Sequence, residues 1–372
     1  MAETLFIGLM SGTSLDGVDA AIVAFDAHNT KSQIRIVHTH FLPYSTELRA
    51  AVLALQYPTD NELEATAIIS NQLAELYAQA VNELLAEAAV SATQIIAIGC
   101  HGQTIRHRPE KAFSLQIGNM ALLSELTEIT VVSDFRSRDI AAGGQGAPLV
   151  PAFHLAIFAH ANINRMVINI GGIANITYLP VNGSIIGFDT GPGNMLMDAW
   201  IERHLQKPYD ENGDWAGTGK VIEPLLNQLL ALEYFRLAPP KSTGRDVFNL
   251  AWLESYLPNT AKAAYVPQDV ERTLLEFTAL SLYDAITHHC SAVEEIYLCG
   301  GGAYNTLLVR RLQALLKNTI IMRTDVLGIE ASYVEAVAFG WLAKQCLERK
   351  PSNLPIVTGA KGARVLGAIY YN

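Results

Sequence analysis

Cysteine, charge and long apolar runs are all scarce in this 372-residue chain, and each scarcity excludes something. The four cysteines, Cys100, Cys290, Cys299 and Cys346, are scattered with no C-x-x-C spacing, so free thiols in a reducing cytoplasm are expected rather than a disulfide framework. Charged residues are only 17% of the chain, and 26 Lys plus Arg against 36 Asp plus Glu leave a formal charge of −10. That balance argues against broad contact with nucleic-acid phosphates or anionic membranes, while leaving room for a local basic pocket that takes one small anion. The first basic residue is Lys31, so the cationic start of a signal peptide is missing, and no uninterrupted apolar run approaches the ~18 residues that span a bilayer. A cytoplasmic protein is the expectation. Half of the residues are hydrophobic, and 27 Gly with 15 Pro are ordinary numbers, so the chain is neither disordered nor fibrous. At about 150 residues per domain it holds two or three domains, each able to bury a core.

Three ligand motifs are missing as well. Gly213–Val221 comes nearest to a Walker loop, but the first required glycine falls on Asp214 and the magnesium-holding Ser/Thr falls on Val221. No G-x-G-x-x-G occurs. The pairs His101/His107 and His154/His160 are six apart, not the i, i+4 spacing that puts two zinc ligands on one helix face.

What is present is a set of glycine turns on strand ends. The apolar run Leu5–Met10 is followed by Ser11–Gly17 and then by the apolar Val18–Phe25, which reads as two strands joined by a polar turn. The pattern recurs as Met166–Ile170, Gly171–Asn175 and Ile176–Leu179, with a further strand at Ser184–Phe188. Two such units about 160 residues apart suggest a duplicated domain with a cleft between the halves. Helical spacing covers Asn61 to Ala89, through Leu63, Ile68, Leu73, Leu76, Val81, Leu84 and Leu85. Further helices are expected at Asn194–Leu205, Val270–His289 and Glu330–Glu348, with a short strand at Ile296–Cys299. After a break at Pro351–Pro355 the tail is expected to return to the first domain. The class is α/β, with one domain at residues 1–150 plus 352–372 and the other at residues 151–351. Turns Ser11–Gly17, Gly171–Asn175, Gly191–Gly193 and Gly300–Asn305 allow close backbone approach and anion-binding rows of N–H groups. One would be turn geometry, but four at strand ends favour a nucleotide site.

These blocks carry a family resemblance. Phe6–Asp19 (FIGLMSGTSLDGVD) is similar to the signature of the anhydro-N-acetylmuramic acid kinases. So are His101–Ile105 (HGQTI), Asp134–Arg136 (DFR), Gly143–Pro151 (GGQGAPLVP), Asn169–Asn175 (NIGGIAN), Phe188–Asn194 (FDTGPGN) and Gly300–Asn305 (GGGAYN). The resemblance spans essentially the whole chain. It implies a duplicated two-domain actin/hexokinase-like ATPase fold that clamps ATP between paired hairpins. The implied reaction takes 1,6-anhydro-N-acetylmuramic acid, ATP and water to N-acetylmuramic acid 6-phosphate and ADP, in peptidoglycan recycling and amino-sugar catabolism. A homodimer is implied by family analogy alone.

That chemistry needs a carboxylate base to activate a water at the anomeric carbon, after which the released sugar oxygen takes the γ-phosphoryl group. Asp189 matches the family's catalytic aspartate; its alternative role is to cap the helix near Asn194, and Asp198 is the competing carboxylate. ATP phosphates are expected on Gly12, Thr13, Ser14, Leu15, Asp16, Gly17, Val18 and Asp19 and on Gly171 and Gly172, with adenosine toward Gly301 and Gly302. Asp16 either holds Mg2+ through water or closes a local turn. Arg136, with Arg138 close behind, is the expected partner of the sugar's lactyl carboxylate, against a surface ion pair as the alternative. Glu335 and Gln103 are expected to face the sugar, and His101 is expected to be a hydrogen-bonded core histidine.

Overall fold

A computed structural model describes residues 3–12, 14–26, 34–58, 60–245, 247–257 and 265–372. Its strands are β1 (Glu3–Met10), β2 (Gly17–Asp26), β3 (Ile34–Pro43), β4 (Ile95–Cys100), β5 (Gln103–Arg108), β6 (Phe113–Ile117), β7 (Val131–Ser133), β8 (Arg165–Ile170), β9 (Ile173–Leu179), β10 (Ile186–Pro192), β11 (Glu295–Cys299), β12 (Ile320–Arg323) and β13 (Ala368–Tyr370). Packing divides the chain into two compact units, Met1–Phe158 with Leu327–Asn372, and Ala159–Val326.

In the first unit the strand order is β13-β7-β4-β1-β2-β3. β1, β2 and β3 form an antiparallel meander, β4 runs parallel to β1, and β7 runs parallel to β4. In the second unit the order is β10-β9-β8-β11-β12, with an antiparallel meander β8-β9-β10, β11 parallel to β8 and β12 parallel to β11. Strand for strand the second sheet repeats the first without β13. The duplication read from two hairpins therefore extends through five strands of each unit.

β1 is apolar on both faces because both are covered: Phe6, Ile7, Leu9 and Met10 are all buried. The helix Val334–Leu347 lies directly on the sheet. A β-carbon at Gly8 would run into the Ala336 carbonyl, and one at Gly99 into the Phe339 carbonyl. Its residues 336–343 are buried without interruption, so it is apolar all round rather than amphipathic. That packing joins residues 327–351 to the first unit, where the sequence pattern predicts them in the second domain. β13 pairs with β7, so the tail does lie in the first unit.

The predicted helices appear as Glu62–Ala88, Met195–Leu205, Pro267–His289 and Val334–Leu347. In the first of them the buried seam is Ile69, Leu73, Tyr77, Val81 and Leu84, whereas Leu63 and Ile68 are 89% and 53% exposed. The seam starts one turn later than the apolar residues do. The strand predicted to end at Phe188 runs on to Pro192, so Asp189 and Gly191 belong to β10 itself.

Helix Pro267–His289 buries Glu271 completely, and neither carboxylate oxygen has a hydrogen-bond partner. Burial first, then the charges of Asp210 and Asp198, pushes this carboxyl up to about 9. A folded-state value above the unfolded one means that the folded protein holds the extra proton, so the stability this group contributes is full below about pH 4.5 and is lost as pH rises toward 9. Between pH 4.5 and 7 the loss from this one group is at most about 3 kcal/mol. Glu271→Gln should remove that component, so urea denaturation at pH 5 and pH 8 should show a flatter dependence than the unaltered chain. An unchanged pH slope would contradict it.

Candidate active site

The turn joining β1 to β2 is fastened from behind. Ser11 Oγ hydrogen-bonds the Tyr44 hydroxyl at 2.7 Å, and the Tyr44 amide donates to the Asp16 carbonyl at 3.0 Å. Burial pushes the Tyr44 hydroxyl up to about 12, so it stays a neutral donor. It donates to Gln103 Oε1 at 3.1 Å, and Gln103 Nε2 donates to the Gly12 carbonyl at 3.2 Å. Gln103 is fully buried, and the two ends of its amide meet Tyr44 and Gly12. Leu15 takes a left-handed backbone, φ 57°, and sinks its side chain into the core. Asp16 is exposed and accepts from Ser14 Oγ at 2.6 Å, the local-turn arrangement. Gly17, Val18 and Asp19 are already in β2, and Val18 is a core residue. Thr13 lies outside the described residues.

Carboxylates gather around this turn. Burial pushes Asp19 well above the usual range, and Asp16, Glu335 and Glu330 push it further by like charge. Glu335 sits in the first turn of helix Val334–Leu347, partly buried, within this field. Among the described residues no group of three or more His, Cys, Asp or Glu is arranged to hold a metal ion.

Arg136 follows β7 at the start of the helix Ser137–Ala141. Its Nε and Nη2 donate to His101 Nε2 at 3.2 and 2.9 Å, and its Nη1 donates to the Gly146 carbonyl at 2.7 Å. Burial and then the Arg136 charge push His101 down to about 3, so the ring is neutral and able to accept. The core histidine thus orients the arginine. Gly146 is held in turn by Asp139, which is fully buried and accepts from the Gly146 amide, Asn353 Nδ2 and Thr358 Oγ1 at 2.8, 2.7 and 2.8 Å. The sequence pattern misses Asp139, because Arg-Ser-Arg-Asp reads as a solvated run. The usable signal is Gly144, where a β-carbon would collide with the Asp139 carboxylate.

In the second unit Asp189 stands at a bulge of β10, where the register with β9 shifts between Asp189 and Gly191. Its amide donates to the Lys241 carbonyl at 3.2 Å, its carbonyl accepts the Tyr234 hydroxyl at 2.5 Å, and its Oδ2 accepts the Thr243 amide at 3.0 Å. The N-cap of helix Met195–Leu205 is Asn194, five residues on, so the carboxylate of Asp189 is engaged away from that helix end. Asp198 contributes to the field at Glu271, on the interior side of its helix.

The glycine turns of this unit converge. Carbonyls of Gly171 and Gly172 accept the amides of Asn194 and Gly193 at 2.8 and 2.9 Å. Asn194 Nδ2 donates to the Ile170 carbonyl at 3.2 Å. A β-carbon at Gly302 would collide with the Ile170 side chain and come within 2.8 Å of Asn194 Oδ1. Gly301 and Gly302 open a short helical turn, Gly301–Tyr304, ahead of helix Thr306–Leu315. Gly171, Gly172, Gly301 and Gly302 are thus brought together at the C-terminal ends of the parallel strands β8 and β11, where open α/β sheets take their ligands. Asn169, at the end of β8, is buried with Oδ1 unpartnered and was not singled out by its sequence context.

A duplicated α/β sheet with glycine turns at the ends of its first and fourth strands defines the class of actin- and hexokinase-like ATPases. A family model described as "Anhydro-N-acetylmuramic acid kinase" matches residues 4–372. The chain is 56% identical over 367 residues to the anhydro-N-acetylmuramic acid kinase of Nitrosomonas europaea, covering 98% of this chain and 99% of that one. It is 51% identical to that of Nitrosospira multiformis, with 100% of each covered. Among solved structures, component A of the (R)-2-hydroxyglutaryl-CoA dehydratase of Acidaminococcus fermentans aligns with TM-score 0.48 at 13% identity, over 91% of this chain and 96% of that one, a likeness too loose to carry weight. The chain belongs to the anhydro-N-acetylmuramic acid kinase family.

Replacing Asp139 with Ala removes the acceptor of the Gly146 amide and leaves Asn353 Nδ2 and Thr358 Oγ1 with only their longer, 3.4 Å bonds to the Gly362 and Leu354 carbonyls. Stranded buried donors cost about 1–3 kcal/mol each before relaxation, so urea denaturation should show a loss of roughly 3–5 kcal/mol. A change below about 1 kcal/mol would contradict the role assigned to this carboxylate.

Proposed function

We propose that the chain converts 1,6-anhydro-N-acetylmuramic acid, ATP and water to N-acetylmuramic acid 6-phosphate and ADP. The full-length family membership carries this reading, and the fixed carboxylate of Asp189 supports it. Asp189 takes a proton from a water whose oxygen bonds to the anomeric carbon. The bond from that carbon to the bridging sugar oxygen breaks with its electron pair on the oxygen, which bonds to the γ-phosphorus as ADP leaves.

The ATP phosphates are assigned to the backbone of Gly12–Asp19, Thr13 included, and to Gly171 and Gly172, with adenosine near Gly301 and Gly302. Within that segment Val18 contributes backbone only, since its side chain is in the core. Arg136, oriented by His101 and Gly146, is assigned to the lactyl carboxylate, and Glu335 to sugar hydroxyls. Gln103 serves the sugar indirectly, by holding the Gly12 turn. The exposed carboxylate of Asp16 fits Mg2+ through water, the cation supplying charge neutralisation at the phosphates. No described helix is long and apolar enough to cross a membrane. A cytoplasmic homodimer acting on small molecules, without nucleic acid or membrane, completes the proposal.

ADP release with Mg-ATP should be stimulated by the anhydro sugar and not by free N-acetylmuramic acid or glucose. Asp189→Asn should lower kcat by about 10²–10⁴-fold with little change in the melting temperature. Near-full turnover in that variant would sink the base assignment. Arg136→Ala should raise KM for the anhydro sugar by at least tenfold and leave KM for ATP within about twofold, the loss expected of a charge-assisted contact.

A further inference from the structure

We propose that the segment Tyr234–Thr243 is a clamp for Asp189, and that Thr243, through its backbone N–H, is a positioning residue for the general base. The inference rests on the base assignment above. β10 is an edge strand, so at Asp189 its outer row of amide and carbonyl groups has no further strand to pair with. This segment supplies the missing partners. The Lys241 carbonyl takes the Asp189 amide, the Tyr234 hydroxyl takes the Asp189 carbonyl, and the Thr243 amide takes Oδ2. Two of these bonds hold the backbone of Asp189 along its outer edge, and the third orients its carboxylate.

The clamp is itself pinned. Lys241 is buried, with Nζ donating to the Tyr234 carbonyl at 3.1 Å and lying over the rings of Tyr234 and Phe188 at 4.7 and 5.5 Å. Phe188 is the neighbour of Asp189 in β10, so the ammonium ties the segment to the strand. A bulge frees Asp189 from the regular register, and a freed residue needs its orientation set from elsewhere. Thr243 Oγ1 is buried without a partner, so the hydroxyl is not what anchors this position.

Titratable groups near Asp189 include Tyr234, Lys241 and, across Phe188, His289. Burial and the Asp189 charge push the Tyr234 hydroxyl up, and burial pushes Lys241 and His289 down. An N–H on a carboxylate favours its charged form, so losing the Thr243 N–H should raise the pKa of Asp189.

The test is the pH profile of kcat/KM for the anhydro sugar with Mg-ATP. Thr243→Pro deletes the N–H, and its acid limb should move up by about one pH unit with kcat about tenfold lower; Thr243→Ala retains the N–H and should restore the limb. A Thr243→Pro protein that melts like the unaltered chain and keeps its acid limb would overturn the proposal. Should Thr243→Pro fail to fold, Tyr234→Phe decides: a kcat about tenfold lower with KM within twofold supports the clamp, and an unchanged kcat overturns it. Asp189→Asn separates the two readings. If it is inactive while the clamp variants behave as the unaltered chain, only the clamp fails; if it is active, the base assignment fails first.

Discussion

The first unit depends on one close approach, that of helix Val334–Leu347 to the middle of its sheet. Gly8 on β1 and Gly99 on β4 leave a gap through which the helix backbone reaches the strands, and the Ala336 and Phe339 carbonyls fill it. Any side chain at either glycine would push the helix outward by the width of a methyl group or more. The contact fixes the helix in register as well as in distance. Because Ala336 sits over Gly8, Glu335 is carried to the end of the β1–β2 hairpin, where Met10 pairs with Asp19. The like charge that Asp19 feels from Glu335 is the electrostatic trace of that register. The His101 ring packs, tilted, against Phe339 of the same helix with centroids 4.8 Å apart, so the ring that orients Arg136 rests on it too.

Each unit has its own sheet of the same topology, and the two use its first turn differently. In the first, Ser11–Asp16 is a long turn that needs outside fastening, and Tyr44 and Gln103 provide it through side-chain hydrogen bonds. In the second, Gly171 and Gly172 make a short turn whose carbonyls are satisfied by the amides at the start of helix Met195–Leu205. The long turn carries polar side chains such as Ser14 and Asp16, whereas the glycines of the short one offer only backbone. Identical topology thus leaves each turn free to take a separate role.

Much of this was legible in the sequence, because hairpins, glycine turns and helix periodicity are local signals. The repeat of strand, glycine turn and strand located both sheets, and the blocks around Asp189 and Gly300 supplied the candidate residues of the second unit. Nonlocal pairing was not legible. Gln103 reads as a site residue because it sits beside His101 and Gly102, yet it is turned inward to a carbonyl 91 positions earlier in the chain. Asp139 binds Asn353 and Thr358 from the far end of the chain, which no window of sequence displays. The helix Val334–Leu347 is buried on all sides, so its pattern carries no face and gives no hint of which sheet it covers. Leu63 and Ile68 show the reverse error, apolar residues at helical spacing that lie before the packed seam.

The field around the first turn sets a condition on any anionic ligand that approaches it. Burial first, and then the like charges of Asp16, Glu335 and Glu330, push Asp19 well above the usual carboxylate range. A triphosphate brought to the same turn adds further negative charge, and backbone N–H groups neutralise only part of it. A cation that travels with the phosphates offsets that charge. In the proposed reaction the exposed Asp16 carboxylate would hold such a cation through water, and the cation would supply charge neutralisation at the phosphates. An acidic turn of this kind therefore favours a metal-bound nucleotide over a free one, because only the metal-bound form arrives with its charge already reduced.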